Sequence, residues 1–251
     1  MKVIKSQIMS NGMKLHMETI LPELGTDVYD KLILILTGDG SKGSKSSTWL
    51  QLVPALVNIG VGVVTFDFYG LGESQGEYAN LTLTKGIQNL RDVLAYINEH
   101  IRYRRLGAIG ASFGGCVLLN SVCTGYISPE FMIFKSPASK LYEAYEHEQK
   151  TFDALLQWKK CGYSDVTGQS FNAYLDALQY DLYSRVGNIK CDTLVFHGSQ
   201  DSVVPIEQSF RLSVLNPRIH ICVLKGVDHD YKQNNAMEAF LSGCVSFIAN
   251  Y

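Results

Sequence analysis

The sequence predicts a doubly wound α/β domain on a mainly parallel sheet. Short β-branched or aliphatic runs recur at Lys31–Leu36, Val61–Phe66, Arg105–Ile109, Phe131–Phe134, Thr193–Phe196 and Ile219–Leu224. Stretches of helical period, such as Leu83–His100 and Cys116–Cys123, separate them. Runs without polar alternation are strands buried on both faces, and strands separated by helices form βαβ units, hence parallel pairing. The length, 251 residues with 46% hydrophobic and 18% charged, is that of an ordinary globular chain. An α/β domain commonly uses ~200–250 residues, so one domain accounts for it.

Residues 2–20 alternate weakly around Asn11-Gly12, the strongest short signal for a two-residue hairpin turn, so an antiparallel pair opens the chain. Gly38–Ser47 is of low complexity and reads as a mobile loop. One interval breaks the βαβ rhythm. From Phe134 to Thr193 the chain is far longer than the ~10–15 residues of a crossover helix, which predicts an insertion. Residues 136–187 are read as an inserted lid, with 1–135 and 188–251 as the core. The insertion is rich in aromatic residues, Trp158 and Phe171 among them. They either form its own small core or line an apolar pocket over the sheet, and on the second reading Trp158 and Phe171 contact substrate.

Lys and Arg number 22 against 24 Asp and Glu, a formal charge of −2 with no basic block. The electrostatic footprint of a nucleic-acid binder is missing, and small, roughly neutral partners are favoured. The longest aliphatic run, Leu32–Leu36, is far below the ~18–20 residues of a membrane span, and the N-terminus lacks an apolar leader. The expectation is a soluble, cytoplasmic protein without a membrane span. The six cysteines lack CxxC pairs and read as small buried hydrophobes in a reducing compartment. No His, Cys, Asp or Glu cluster has metal spacing, so neither metal nor cofactor is implied.

Gly110-Ala111-Ser112-Phe113-Gly114 follows a predicted strand and precedes an apolar helical run. This is G-x-S-x-G in strand–turn–helix context: a serine forced into a tight turn needs glycines two before and two after, where a Cβ would strike the adjoining strand or helix. The Phe113 N–H at the helix start points where an oxyanion would form. A serine hydroxyl needs a base, and the base an orienting carboxylate. Asp201 and His229 follow the next strands at their carboxyl ends, where open α/β sheets bind ligands. The order Ser112, Asp201, His229 is that of a nucleophile-elbow hydrolase. His16, His100, His147, His197 and His220 lack this context and read as structural.

With these residues in place, the sequence resembles the α/β-hydrolase superfamily over nearly its whole length. Within it, the likeness is to the lid-bearing group that includes monoacylglycerol-lipase-like enzymes, cinnamoyl (feruloyl) esterases and the serine aminopeptidase family. Asp67-Phe68-Tyr69-Gly70-Leu71-Gly72-Glu73-Ser74 is similar to that group's D-x-x-G-x-G-x-S turn and reads as structural, with Asp67 bonding turn amides. The departure is at the oxyanion loop, where such enzymes carry His-Gly and an apolar residue and this chain has Thr37-Gly38-Asp39-Gly40. By position, Asp39 gives the second oxyanion N–H. Its carboxylate is expected to point away or to meet a cation, with Lys42 and Lys45 the candidates. Gly38 and Gly43 also begin like a phosphate-binding loop, but Ser44 stands where that loop needs lysine.

The function read from the sequence is a serine acyl hydrolase, most simply a carboxylesterase for small or medium apolar or aromatic acyl esters. The alternatives are a thioesterase or peptidase/amidase of the same fold, or a non-catalytic ligand-binding protein. Oligomeric state has no signal.

Overall fold

A computed structural model describes residues 1–23, 28–40, 42–233 and 235–251. The chain opens with β1 (Lys2–Ser10) and β2 (Met13–Leu21), an antiparallel pair joined at Asn11-Gly12, both at positive φ. Six further strands follow: β3 (Val28–Leu36), β4 (Gly62–Phe66), β5 (Arg102–Ala111), β6 (Phe131–Lys135), β7 (Asp192–Gly198) and β8 (Ile219–Leu224). They form one eight-stranded sheet in the order β1-β2-β4-β3-β5-β6-β7-β8. β2 pairs antiparallel with β4, and every pair from β4 to β8 is parallel.

Helices cover both faces. α2 (Leu83–His100) and α3 (Ser112–Cys123) lie on one, and α1 (Ser47–Asn58) and α8 (Ala236–Ala249) on the other. The alternation within β3 shows why: Leu32, Leu34 and Leu36 join the α2–α3 core, while Ile33 and Ile35 join the α1–α8 core. Each such side chain taken from water contributes ~1.5–3 kcal/mol. In α2 the stripe Leu83, Ile87, Leu90, Leu94 and Ile97 faces the sheet, and Thr82 Oγ1 caps the helix by accepting from Lys85 N at 3.2 Å. α7 (Glu207–Leu215) completes the crossover from β7 to β8.

The interval after β6 holds α4 (Leu141–Gln149), α5 (Phe152–Cys161), α6 (Phe171–Ala177) and a 3-10 segment, Tyr183–Asn188. No described helix is long and apolar enough to cross a membrane.

Three expectations are corrected here. The stretch Gly38–Ser47 is anchored, for Gly43–Lys45 is a 3-10 helix with Gly43 and Ser44 buried, and Ser44 N donates to Asp67 Oδ1 at 2.6 Å. Ser41 lies outside the described residues. Only Cys116, Cys123 and Cys244 are buried, Cys161 is exposed, Cys191 just before β7 is half-buried, and so is Cys222, which lies on the edge strand β8. His16, Glu18 and Glu73 converge although their spacing gave no sign of it, because Glu73 arrives from the turn after β4. Lys45 Nζ at 2.6 Å and Lys5 Nζ at 3.5 Å from Glu18 already supply positive charge there.

Candidate active site

The parallel registers end level with one another. Leu36 pairs with Gly110, Ala111 with Lys135, Lys135 with Phe196 and Gly198 with Leu224, so the loops after β3, β5, β6, β7 and β8 leave one sheet edge. β3 is also the point where strand order reverses, which places the crevice between the ends of β3 and β5.

Ser112 opens α3 at φ +47°, a region that costs a non-glycine residue strain and that survives only where packing over-determines it. That packing is visible around it. A Cβ on Gly110 would sit 2.8 Å from Gly115 Cα, and one on Gly114 would sit 2.2 Å from the Thr37 carbonyl oxygen. Both glycines are therefore required by close approach. Phe113 is fully buried in the first turn of α3, where backbone N–H groups have no intrahelical acceptor. The loop after β3 crosses just above, since a Cβ on Gly38 would lie 3.4 Å from Ser112 Cβ.

Asp201, in the loop after β7, is held by its own turn: Oδ1 accepts from Val203 N at 3.0 Å and Val204 N at 2.8 Å. Oδ2 accepts from His229 Nδ1 at 2.7 Å. Burial opposes ionisation of this carboxyl, but hydrogen bonds from His197, His229 and Val204 outweigh it and hold it well below the usual carboxylate range. With Nδ1 engaged, Nε2 is the ring nitrogen His229 has left for other chemistry. His229 lines both cavities that Ser112 lines.

The first cavity, about 250 Å³, lies beneath α4 and is lined by Ser112, His229, Asp39, Tyr78, Tyr145 and Glu148 among others. The second, about 750 Å³, lies between the segments around Gly38–Gln51 and His229–Met237 and carries Lys42, Lys135 and Lys232. A further cavity of about 750 Å³ around Cys123, Pro129 and Tyr251 sits at the opposite sheet edge. Burial pushes its Cys123 thiol up to about 12 and its Cys191 thiol upward, which disfavours the thiolate.

His197, read as structural, supports the site, and Lys135 and Glu148 join it without having been expected from the sequence. His197 is fully buried, its Nε2 3.0 Å from the Val204 carbonyl and 3.3 Å from Asp201 Oδ2. Both neighbours accept, so Nε2 carries a proton, and Nδ1 meets Ser209 Oγ at 2.7 Å. Lys135, at the end of β6, is 7% exposed and donates to the His229 carbonyl at 2.7 Å. Burial lowers it to about 8 against the opposing pull of Asp230, Asp201 and Asp228. Glu148 is pushed up to about 7 by burial and then by Asp39, with His229 opposing.

Two site expectations are corrected. Asp39 does not turn away and does not meet a lysine: its carboxylate accepts from Tyr78 Oη at 3.3 Å and lines the cavity, while Lys45 is taken by Glu18. Trp158 and Phe171 line neither cavity at Ser112. Trp158 is buried among Tyr145, Phe171 and Tyr174, at centroid distances of 5.6, 5.6 and 5.9 Å, and donates from Nε1 to the Gln169 carbonyl at 2.8 Å. These rings are the core of the inserted segment. Asp67 is as expected, buried and accepting from Ser44 N and, at 2.9 Å, from Glu73 N.

A mainly parallel sheet of this order with a serine at the strand-to-helix turn after β5 is the α/β-hydrolase fold. Within that fold the chain belongs to the prolyl oligopeptidase family, whose model matches residues 48–251. It is similar to the lysophosphatidylserine lipase ABHD12 of Danio rerio, 27% identical over 72% of this chain and 46% of the relative. It is also similar to the mitochondrial palmitoyl-protein thioesterase ABHD10 of Mus musculus, 23% identical over 70% of this chain and 61% of that protein. The chain thus spans about half to three fifths of the length of these relatives. Among solved structures, ferulic acid-bound Est1E from Butyrivibrio proteoclasticus shares the fold with TM-score 0.83, 22% identity and 98% of each chain covered.

Proposed function

We propose that this protein is a serine acyl hydrolase that cleaves carboxylic esters through an acyl-enzyme on Ser112. The observation that carries this reading is the 2.7 Å bond from His229 Nδ1 to Asp201 at a cavity that Ser112 also lines. In the proposed reaction Ser112 Oγ attacks the ester carbonyl as His229 Nε2 takes its proton. Asp201 holds the ring in the tautomer that leaves Nε2 free, and stabilises the imidazolium. The N–H groups of Phe113 and Asp39 hold the tetrahedral oxyanion. His229 returns the proton to the departing alcohol, and a water activated the same way releases the acid. A carboxylate ~4 Å from that oxyanion costs ~4 kcal/mol at an effective dielectric of 20. The Tyr78 hydroxyl ties the Asp39 carboxylate into the cavity wall and so limits that cost. Residues 136–187 act as a lid, because α4 supplies the roof of the smaller cavity.

A short-chain neutral ester tests the reading: wild-type protein turns it over, and Ser112→Ala falls to background with its fold intact. A thioester is the second substrate class, supported by the likeness to a palmitoyl-protein thioesterase and open to the same acyl-enzyme. Matched ester and thioester pairs of one acyl group rank the two.

A further inference from the structure

We propose that the small cavity beside Ser112 is a subsite for an ammonium group of the substrate, formed by Asp39 and Glu148 with the Tyr78 and Tyr145 phenols. The proposal rests on the reading that Ser112 cleaves an acyl bond, and adds the charge of the group presented to it.

The first observation is charge without a partner. Asp39 and Glu148 line one cavity of about 250 Å³, and among the described residues neither pairs with a lysine or arginine. Lys42, Lys135 and Lys232 line the other cavity, which Asp39 also borders, and among the described residues none of them pairs with Asp39 or Glu148. The second observation is independent of those carboxylates. Tyr145, 2% exposed, lines the same cavity, and its buried hydroxyl has no hydrogen-bond partner. A buried polar group of that kind costs stability unless something satisfies it.

An ammonium answers both. Its N–H donors suit two carboxylates and a phenol oxygen, and the two tyrosine rings suit a cation. A divalent metal suits them less well, for Asp39 and Glu148 belong to no group of three His, Cys, Asp or Glu ligand atoms among the described residues. A hydroxyl-rich neutral group would satisfy the oxygens and leave the like charges opposed. Burial first, and the Asp39 carboxylate after it, raise the Glu148 carboxyl to about 7.

The ammonium can come from the acyl or the alcohol side, and two matched pairs separate them. Ethyl 4-aminobutyrate against ethyl pentanoate places it on the acyl side, and 3-(dimethylamino)propyl butyrate, protonated on nitrogen, against 4-methylpentyl butyrate on the alcohol side. At pH 8 the wild-type kcat/KM for the cationic member of one pair is expected to exceed its neutral partner's by about ten-fold or more, as a charged hydrogen bond commonly gives. Glu148→Gln should bring that ratio near one, and Glu148→Asp should restore part of it. Equal or better turnover of the neutral member in both pairs overturns the inference while leaving the acyl-hydrolase reading intact. Retention of the full ratio in Glu148→Gln overturns the assignment to this cavity. Hydrolysis of none of the four esters by wild-type protein would instead remove both readings. The wild-type comparison needs no variant to fold.

Discussion

The ammonium of Lys135 donates to the backbone carbonyl of His229 at 2.7 Å, tying the end of β6 to the loop after β8. The same ammonium lies 4.0 Å from the centre of the Tyr231 ring. A buried lysine is costly, so its placement here points to fixing the backbone of His229. Lys135→Met keeps the length and apolar body and removes the donor. We expect kcat on a neutral ester to fall ~10–100-fold with KM little changed, as misplacement of a reacting group by ~1 Å can do. Steady-state kinetics check it, and an unchanged kcat would reduce Lys135 to a packing role.

Asp201→Asn should lower kcat by a factor of ~10⁴, because the amide no longer fixes the imidazole tautomer. The neighbouring acids have other tasks: Asp228 accepts from Gln233 Nε2 at 2.8 Å, and Asp230 pairs with Lys232 at 2.5 Å on the surface. Asp228→Asn and Asp230→Asn are expected to stay within a few-fold of wild type. A crippled Asp228→Asn beside an active Asp201→Asn would reassign the acid.

Trp158→Ala removes the largest ring in the core of the inserted segment and the donor to Gln169. A loss of ~3–5 kcal/mol is expected on the scale of buried aromatic truncations, read as a lower Tm. Because Trp158 lines neither cavity, the shape of the ester chain-length profile should survive where the variant is folded. A changed profile with an unchanged Tm would return Trp158 to the substrate.

Glu148 gives a pH dependence of stability. Asp39, Tyr78, Tyr145, His229 and Asp201 all face it, and burial with Asp39 raises its carboxyl from 4.5 to about 7. A raised carboxyl favours the folded state while protonated, so its contribution is fully present below 4.5 and is lost as pH rises through about 7. Glu148→Gln cannot ionise. Its Tm relative to wild type should therefore be higher at pH 8 than at pH 4.5, by ~2–4 °C for each kcal/mol relieved. Thermal denaturation at the two pH values decides it, and equal differences would show that Glu148 is not perturbed.

How much of this was legible follows from the kind of signal. The elbow was legible because its chemistry is local: Gly110, Ser112 and Gly114 fall within five residues of one turn, and steric necessity fixes their types. The strands were legible as apolar runs, although β5 extends to Arg102–Ala111 because its amino half is polar and half exposed. α1 gave no clear signal, as Pro54 stands inside it and such a residue normally ends a helix. Lys135 was missed because it acts through His229, distant in the chain, whereas His197, read as structural, is buried beside Asp201 four residues on. Glu148 did leave a trace: Leu141, Ala144, Tyr145 and Glu148 follow i, i+3, i+4, i+7, one helix stripe, and all four line the cavity. A lone carboxylate on such a stripe is the signal that would have found it.

The most direct test of the central claim, that Ser112 is the nucleophile, is covalent trapping with a fluorophosphonate followed by peptide mass mapping. The account predicts a single adduct on the peptide carrying Gly110-Ala111-Ser112-Phe113-Gly114, formed by wild-type protein, abolished in Ser112→Ala and strongly slowed in a variant lacking the His229 imidazole. An adduct on another residue, or no adduct from folded protein that still hydrolyses esters, would contradict it.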